Sequence, residues 1–193
     1  MNRYYHYMLL FLFIVTVAHS ASIFAQTLTA RTGNVILANG FFSKSEWADA
    51  SHIIVNERVV LYAKHDRNYI YIGIKTIDTT HTGLDLYIAS GESKRILLHV
   101  SSALAQATYE NGIWSEWQWE QNQKWIANKI GLYYDGEIQH CSEPEGFEFQ
   151  IDKNMIDGKV IYLAMHLKRP EYLVPSLKDR ESFNNWIQLI IKS

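Results

Sequence analysis

The sequence contains little cysteine and no excess of basic residues. Its 193 residues include one cysteine, Cys141, so no disulfide can form within the chain. Its 18 lysines and arginines are outnumbered by 20 aspartates and glutamates, which removes the main driving force for nucleic-acid binding. Stability must therefore come from a hydrophobic core, for which the length and the 48% of hydrophobic residues are sufficient.

The sequence also lacks the local signatures of catalysis. No serine lies in a G-x-S-x-G frame, and neither a phosphate-binding loop nor a dinucleotide fingerprint is present. Glu143, Glu145 and Glu148 lie close together, but their surroundings are typical of a solvated loop rather than of paired catalytic carboxylates. The histidines show no metal-ligand spacing. We therefore predict that the protein is not an enzyme and has no metal site.

The first 25 residues have the pattern of a signal peptide. Arg3 precedes an apolar stretch at residues 8–18, and small residues lead to Ala25, after which we expect cleavage. The alternative is a membrane anchor, but the apolar stretch is shorter than the roughly 20 residues that span a bilayer. We predict a leader at 1–25, one domain at 26–193, and a secreted, periplasmic or cell-envelope location.

The rest of the chain is patterned as short strands. Residues 59–65 and 69–75 flank the turn triplet 66–68 and predict a hairpin, whose second strand alternates isoleucine with tyrosine. Turn residues separate the further predicted strands, which are 34–37, 52–55, 84–89, 95–100, 114–119, 147–151, 160–167 and 186–191. Only 101–109 and 121–130 could hold a helical turn. This pattern predicts an all-β fold, an antiparallel β-sandwich or jelly roll.

Several segments carry a family resemblance. They are residues 36–40 (ILANG) with 46–50 (EWADA), the hairpin at 59–75 with Asp66 before YIYI, 146–151 (GFEFQI), and 185–189 (NWIQL). In this order and spacing they resemble the opening turn, hairpin, late strand and closing strand of the carbohydrate-binding module family nine-like domains, which are related to the DOMON domains. The resemblance spans about residues 34–191.

The resemblance implies a β-sandwich that binds sugars, and in some relatives a haem. In sugar-binding members two aromatic residues sandwich the sugar. The first of these two positions falls in the loop 78–83, which holds His81 and no aromatic residue, and the nearest match to the second is Tyr172. The E-W-x-x-A match makes Trp47 a buried anchor, and Trp186 is expected in the core.

Four tryptophans within twelve residues form a second candidate site. Trp114, Trp117, Trp119 and Trp125 alternate with polar residues such as Glu116. Sugars stack their C–H faces on aromatic rings while carboxylates and amides take the hydroxyls, so this stretch suits a glycan platform. The alternative is that the rings fill the core of one sheet face. The exposure of these rings decides between the two.

We therefore predict a secreted, non-catalytic module that binds a glycan or polysaccharide by aromatic stacking and hydrogen bonds. The predicted ligand-binding residues are Trp114, Trp117, Trp119, Glu116, Tyr172 and His81. The predicted partners include no nucleic acid and no membrane span, and a surface protein partner stays open. One alternative is a degenerate sandwich with a structural or assembly role. The other is a haem-binding electron-transfer domain. We predict no cofactor, while haem and calcium (through Asp66, Asp78 or Asp85) stay open.

Overall fold

The computed structural model describes residues 26–77, 81–91, 94–119, 124–129, 131–135, 138–142, 144–175, 183 and 185–192, with the backbone alone for 131–135 and 138–142. The predicted leader at 1–25, Asp78 and Glu143 lie outside these residues. Within them, no helix is long and apolar enough to cross a membrane.

Sixteen strands make up nearly all of the regular structure of these residues. They are β1 (Thr27–Thr32), β2 (Ser51–Asn56), β3 (Val59–His65), β4 (Tyr69–Thr76), β5 (Gly83–Ala89), β6 (Lys94–Val100), β7 (Leu104–Glu110), β8 (Ile113–Trp114), β9 (Gln118–Trp119), β10 (Trp125–Ala127), β11 (Gly131–Asp135), β12 (Ile138–Ser142), β13 (Gly146–Asp152), β14 (Val160–Lys168), β15 (Tyr172–Val174) and β16 (Ile187–Ile191). The described helices are one turn, α1 (Lys44–Trp47), and a 3₁₀ turn, Lys153–Met155.

Fourteen of these strands form two layers that share strand β1, while β11 and β12 pair with each other in a separate two-stranded sheet. The first sheet has the order β1-β16-β14-β5-β6-β7, with β8 and β9 on β7 and β15 on β14. The second has the order β1-β3-β4-β13-β10, with β2 also on β3. Strand β1 pairs first with β16 and then with β3, in parallel both times, whereas the other pairs are antiparallel. The all-β sandwich prediction is confirmed, with β1 as a parallel exception.

The core lies between the two sheets and is formed by every second side chain of the strands. Along β4, Ile70, Ile72 and Ile74 point into it, and along β5 the residues Leu84, Leu86 and Ile88 do so from the opposite sheet. Because alternate side chains of a strand point to opposite faces, the residues between them face away from the core. Asp85 and Tyr87 of β5 are therefore on the outside of the first sheet, which we call the outer face.

Most predicted strands are confirmed, and the differences lie where pairing overrides local pattern. Residues 34–37 are not a strand, and 114–119 is broken into β8 and β9 by residues 115–117. The two stretches considered for helical turns contain strands instead, β7 and β10. Strand β7 pairs with β6 along its whole length, and β10 pairs with β13 at the edge of the second sheet. Pairing with the neighbouring strand therefore outweighs the local sequence pattern.

Candidate functional site

Three of the four clustered tryptophans are exposed and one is buried. Strand β7 holds two of them by direct pairing, Tyr109 with Trp114 and Ala105 with Trp119. The exposed fractions are 36% for Trp114, 42% for Trp117, 53% for Trp119 and 2% for Trp125. The first three therefore present their rings to solvent, while Trp125 packs in the core against Phe149. The alternative that all of these rings fill the core is wrong for Trp114, Trp117 and Trp119, which are the three that were predicted to bind ligand.

Trp117 and Trp119 form a pair on the outer face. Their ring centroids are 6.2 Å apart and the planes are inclined by 39°. The ring of His99 meets both edge to face, at 5.8 Å from Trp117 and 6.1 Å from Trp119. The pair therefore rests on a fixed side chain of β6 and offers two inclined aromatic surfaces.

Trp114 belongs to a different part of the outer face. It packs against Tyr109 at 5.3 Å and Tyr87 at 6.3 Å, and Tyr87 in turn packs against the buried Trp186. Its partner on β7 is four residues from the partner of Trp119, which corresponds to about 13 Å along a strand. Trp114 therefore does not extend the Trp117–Trp119 pair.

A polar row crosses the sheet beside this pair. His166, Asp85 and His99 are directly opposite one another on β14, β5 and β6, and Ala105 and Trp119 continue the row. Nδ1 of His99 lies 2.6 Å from Oδ1 of Asp85, and Nζ of Lys168 lies 2.9 Å from Oδ2 of the same carboxylate. The sheet register thus brings a carboxylate, two imidazoles and an ammonium group next to the aromatic pair.

Asp85 is ionised at neutral pH although it is buried. Burial alone would raise the pKa of its carboxyl, but hydrogen bonds from His99 and Lys168 outweigh burial and hold that pKa below the ordinary value. The row continues to Glu171, whose Oε1 lies 2.8 Å from Nε2 of His166. The site therefore combines fixed charges of both signs.

A pocket of about 500 Å³ opens beside this polar row. Its walls come from β5, the end of β6 and the end of β14, and they consist of Thr82, Gly83, His99, Ser101, Lys168, Arg169 and Glu171. His99 belongs both to this wall and to the contacts of Trp117 and Trp119. An aromatic surface and a pocket rich in hydrogen-bonding groups therefore adjoin.

The remaining predicted site residues lie in different places. Glu116 is exposed in the short segment between β8 and β9, next to Trp117. His81 is buried just before β5, and its Nδ1 has no hydrogen-bond partner among the described residues. Tyr172 pairs with Leu167 and packs on the core side of the first sheet, with Arg58 over its ring. Tyr172 therefore does not face the Trp117–Trp119 pair.

Sequence reasoning did not single out Asp85, His99, Lys168 and Arg169 as members of one site. These residues are far apart in sequence, and only the pairing of β5 with β6 and β14 brings Asp85, His99 and Lys168 together. A polar residue alternating with apolar ones in a central strand, as Asp85 does in LDLYI, was the available signal.

The arrangement does not suit a haem held by Met165 and His166. Met165 is fully buried in the core, whereas His166 is on the outer face and bonded to Lys168 and Glu171. For calcium, Asp66 accepts hydrogen bonds from the Asn68 and Tyr69 amides and the Tyr71 hydroxyl. No group of three metal-ligating side chains occurs within the described ranges.

Comparisons with known proteins find similarity in the fold and not in the sequence. Neither a protein-family model nor a curated protein matches the chain. A solved structure of a "putative carbohydrate-binding protein" from Bacteroides uniformis is similar over 87% of this chain and all of its own, with a TM-score of 0.50 and 9% identity. A family 9 carbohydrate-binding module from Caldicellulosiruptor kristjanssonii, in complex with cellotriose, covers 87% of this chain and 94% of its own, with a TM-score of 0.49 and 7% identity. The similarity to the first establishes that the chain has the fold of such a protein.

Proposed function

We propose that this protein binds carbohydrate on the outer face of its first sheet, at Trp117 and Trp119. The observation that carries the proposal is the exposed pair of indole rings, 6.2 Å apart, beside a pocket with polar walls. Exposed aromatic rings in contiguous patches are rare in soluble proteins unless they bind something. The fold shared with the Bacteroides uniformis protein supports the same class of ligand.

The geometry suits a sugar in two ways. The inclined faces of Trp117 and Trp119 accept the apolar C–H face of a pyranose ring, and aromatic contacts of this kind contribute about 1 kcal/mol each beyond their buried area. Ser101, Lys168 and Glu171 line the adjoining pocket and offer hydrogen-bonding groups to sugar hydroxyls. The recognition itself requires no bond to be broken, in keeping with a binding role.

The proposal includes export of the protein, because the pattern of residues 1–25 is that of a signal peptide and extracellular glycans are then within reach. Edman sequencing of the protein recovered from its native host tests this part. A start at Gln26 supports it, and a retained Met1 contradicts it.

The binding test is a glycan array followed by titration calorimetry with the best ligand. We expect Trp117→Ala and Trp119→Ala each to weaken binding by tenfold or more, since each removes one stacking surface and its buried area. Trp114→Ala is the matched control, because it removes an exposed indole from the same face about 13 Å away. Equal binding by all three variants, or no glycan bound by the folded wild type, contradicts the proposal.

A further inference from the structure

Three side chains at the pocket are arranged as a nucleophile, a base and a carboxylate that orients the base. Nε2 of His99 lies 3.1 Å from Oγ of Ser101, and Nδ1 of the same ring lies 2.6 Å from Oδ1 of Asp85. Asp85 and His99 are directly opposite on β5 and β6, and Ser101 follows His99 by two residues. Two separate hydrogen bonds thus link the three groups through the two nitrogens of one imidazole, which is the geometry of a Ser-His-Asp triad.

The surrounding charges set the direction of these hydrogen bonds. The Asp85 carboxylate accepts from Lys168 through Oδ2, which leaves Oδ1 to accept from His99 Nδ1–H. With its proton on Nδ1, the neutral ring presents the lone pair of Nε2 to the hydroxyl of Ser101. The other charged or titratable groups at the row are His166, Glu171 and Arg169.

Ser101 is held at the pocket wall by a tight turn. Its amide donates to the carbonyl of Ala103 at 3.0 Å, and the amide of Ala103 lies 3.3 Å from Oγ. The Ala103 carbonyl oxygen is also 3.3 Å from Oγ, slightly farther than the 3.1 Å to Nε2 of His99. Ser101 and His99 both line the pocket of about 500 Å³. The nucleophile and base therefore face a space that is large enough for an acyl group and part of a sugar.

We propose that Ser101, His99 and Asp85 hydrolyse an acyl ester carried by a carbohydrate. Ser101 is the nucleophile, His99 the general base and then acid, and Asp85 a positioning residue that fixes the tautomer of His99. The choice of a carbohydrate ester rests on the proposed function, because Trp117 and Trp119 pack against His99. Ester hydrolysis as such does not depend on it.

The reaction has two balanced steps. Oγ of Ser101 bonds to the acyl carbon as its proton passes to Nε2 of His99, and the C–O bond to the sugar breaks as His99 returns that proton to the sugar oxygen. Water then attacks the acyl-enzyme, giving one proton to His99, and Oγ leaves and takes that proton. The products are a carboxylic acid and a sugar hydroxyl. Arg169, which lines the pocket, supplies cationic donors for the oxyanion.

The first test is covalent labelling of the full chain. A fluorophosphonate reacts with serines activated by a neighbouring base, and intact-mass spectrometry counts the adducts. We expect one adduct on the wild type, none on Ser101→Ala, and one on the matched control Ser45→Ala, whose serine is exposed in α1. No adduct on folded wild type, or an adduct retained by Ser101→Ala, overturns the proposal.

The second test is kinetic. With p-nitrophenyl acetate we expect His99→Gln and Ser101→Ala to lower kcat by about a hundredfold or more, and Asp85→Asn to lower kcat with little change in KM. A purely structural role of Asp85 would instead lower the fraction of folded protein, which circular dichroism measures, and leave kcat per folded molecule unchanged. That result, or wild-type kcat in Ser101→Ala, contradicts the triad.

A third measurement separates this proposal from carbohydrate binding. Acetate release from a partially acetylated cello-oligosaccharide is compared with that from p-nitrophenyl acetate. Turnover of both supports the carbohydrate ester. Turnover of the small ester alone overturns the assigned substrate class and leaves the triad in place. Glycan binding without phosphonate labelling overturns the triad and leaves the proposed binding function in place.

Discussion

The indole Nε1–H of Trp47 donates a hydrogen bond of 2.7 Å to Oε1 of Glu148, and both side chains are buried. The second oxygen of Glu148 accepts from the amides of Asn39 and Gly40, at 2.9 and 2.8 Å. One carboxylate of β13 therefore fixes both α1 and the loop before it against the second sheet. Trp47 of the E-W-x-x-A match and Glu148 of the late strand are therefore joined directly, and the expectation that Glu148 lies in a solvated loop is wrong.

Replacing Glu148 with glutamine should destabilise the protein by about 1–3 kcal/mol. The three N–H groups of Trp47, Asn39 and Gly40 now donate to the two carboxylate oxygens. A glutamine side chain has one oxygen and one NH₂ group, so at least one of these buried donors would lose its acceptor. Chemical denaturation measures the loss. Glu145→Gln is the matched control, because both side chains of its pair with Lys75 are partly exposed and the pair should contribute less than about 1 kcal/mol. Equal effects of the two substitutions would contradict this account of Glu148.

Two aromatic rings lie over Gly73 and leave no room for a side chain at this position. A Cβ at this position would lie 2.7 Å from Cε1 of Phe42 and 2.9 Å from Cη2 of Trp47. Gly73→Ala should therefore cost about 1–3 kcal/mol through overpacking, as measured by thermal or chemical denaturation. Adding Phe42→Leu should recover part of the loss. A double variant no more stable than Gly73→Ala alone would show that the ring of Phe42 is not the cause.

The sequence predicts features that depend on local alternation and not those that depend on register. The hairpin of β3 and β4 is confirmed because isoleucine alternates along it, and Trp47 is confirmed as a buried anchor at 5% exposed. The sequence alone could not separate the exposed tryptophans from the buried one. Strands β8 and β9 have only two residues each, and their positions depend on pairing with β7. Likewise, no spacing links Asp85 to His99, since cross-strand register alone sets them opposite.

Asp85 should make stability fall on acidification. Its pKa in the folded protein lies below the ordinary value of 3.8, because hydrogen bonds from His99 and Lys168 outweigh the effect of burial. The stabilisation is therefore present above the ordinary pKa and is lost as the pH falls through the folded pKa. We expect the unfolding free energy of the wild type to fall more steeply than that of Asp85→Asn below about pH 4.

Denaturant titrations from neutral pH to about pH 3 measure this difference. At neutral pH Asp85→Asn should be less stable by about 1–3 kcal/mol, because hydrogen bonds to an ionised group are lost. Asp157→Asn serves as the control, since its carboxylate is exposed and 3.6 Å from Lys94. Parallel pH curves for the wild type and Asp85→Asn would rule out this role of Asp85.

Gln106 connects the core to the strand that carries Trp119. Its Oε1 accepts from Nε1 of the buried Trp125 at 3.0 Å, and its Nε2 donates to Oε1 of Gln118 at 2.9 Å. Gln106→Leu should cost about 1–2 kcal/mol, because the indole N–H of Trp125 loses its acceptor. Since β9 has only two residues, we also expect Trp119 to be less well fixed and glycan affinity to fall several-fold.

Denaturation and titration calorimetry on the same samples separate the two effects of Gln106→Leu. The control is Gln188→Leu, in which a half-buried glutamine on β16 loses its bond with Thr27. This control should keep wild-type affinity because β16 is remote from β9 in the first sheet. A destabilised Gln106→Leu variant that binds glycan as tightly as the wild type would show that Trp119 is positioned without Gln118. In that case the pairing of Ala105 with Trp119 would be sufficient to hold the ring.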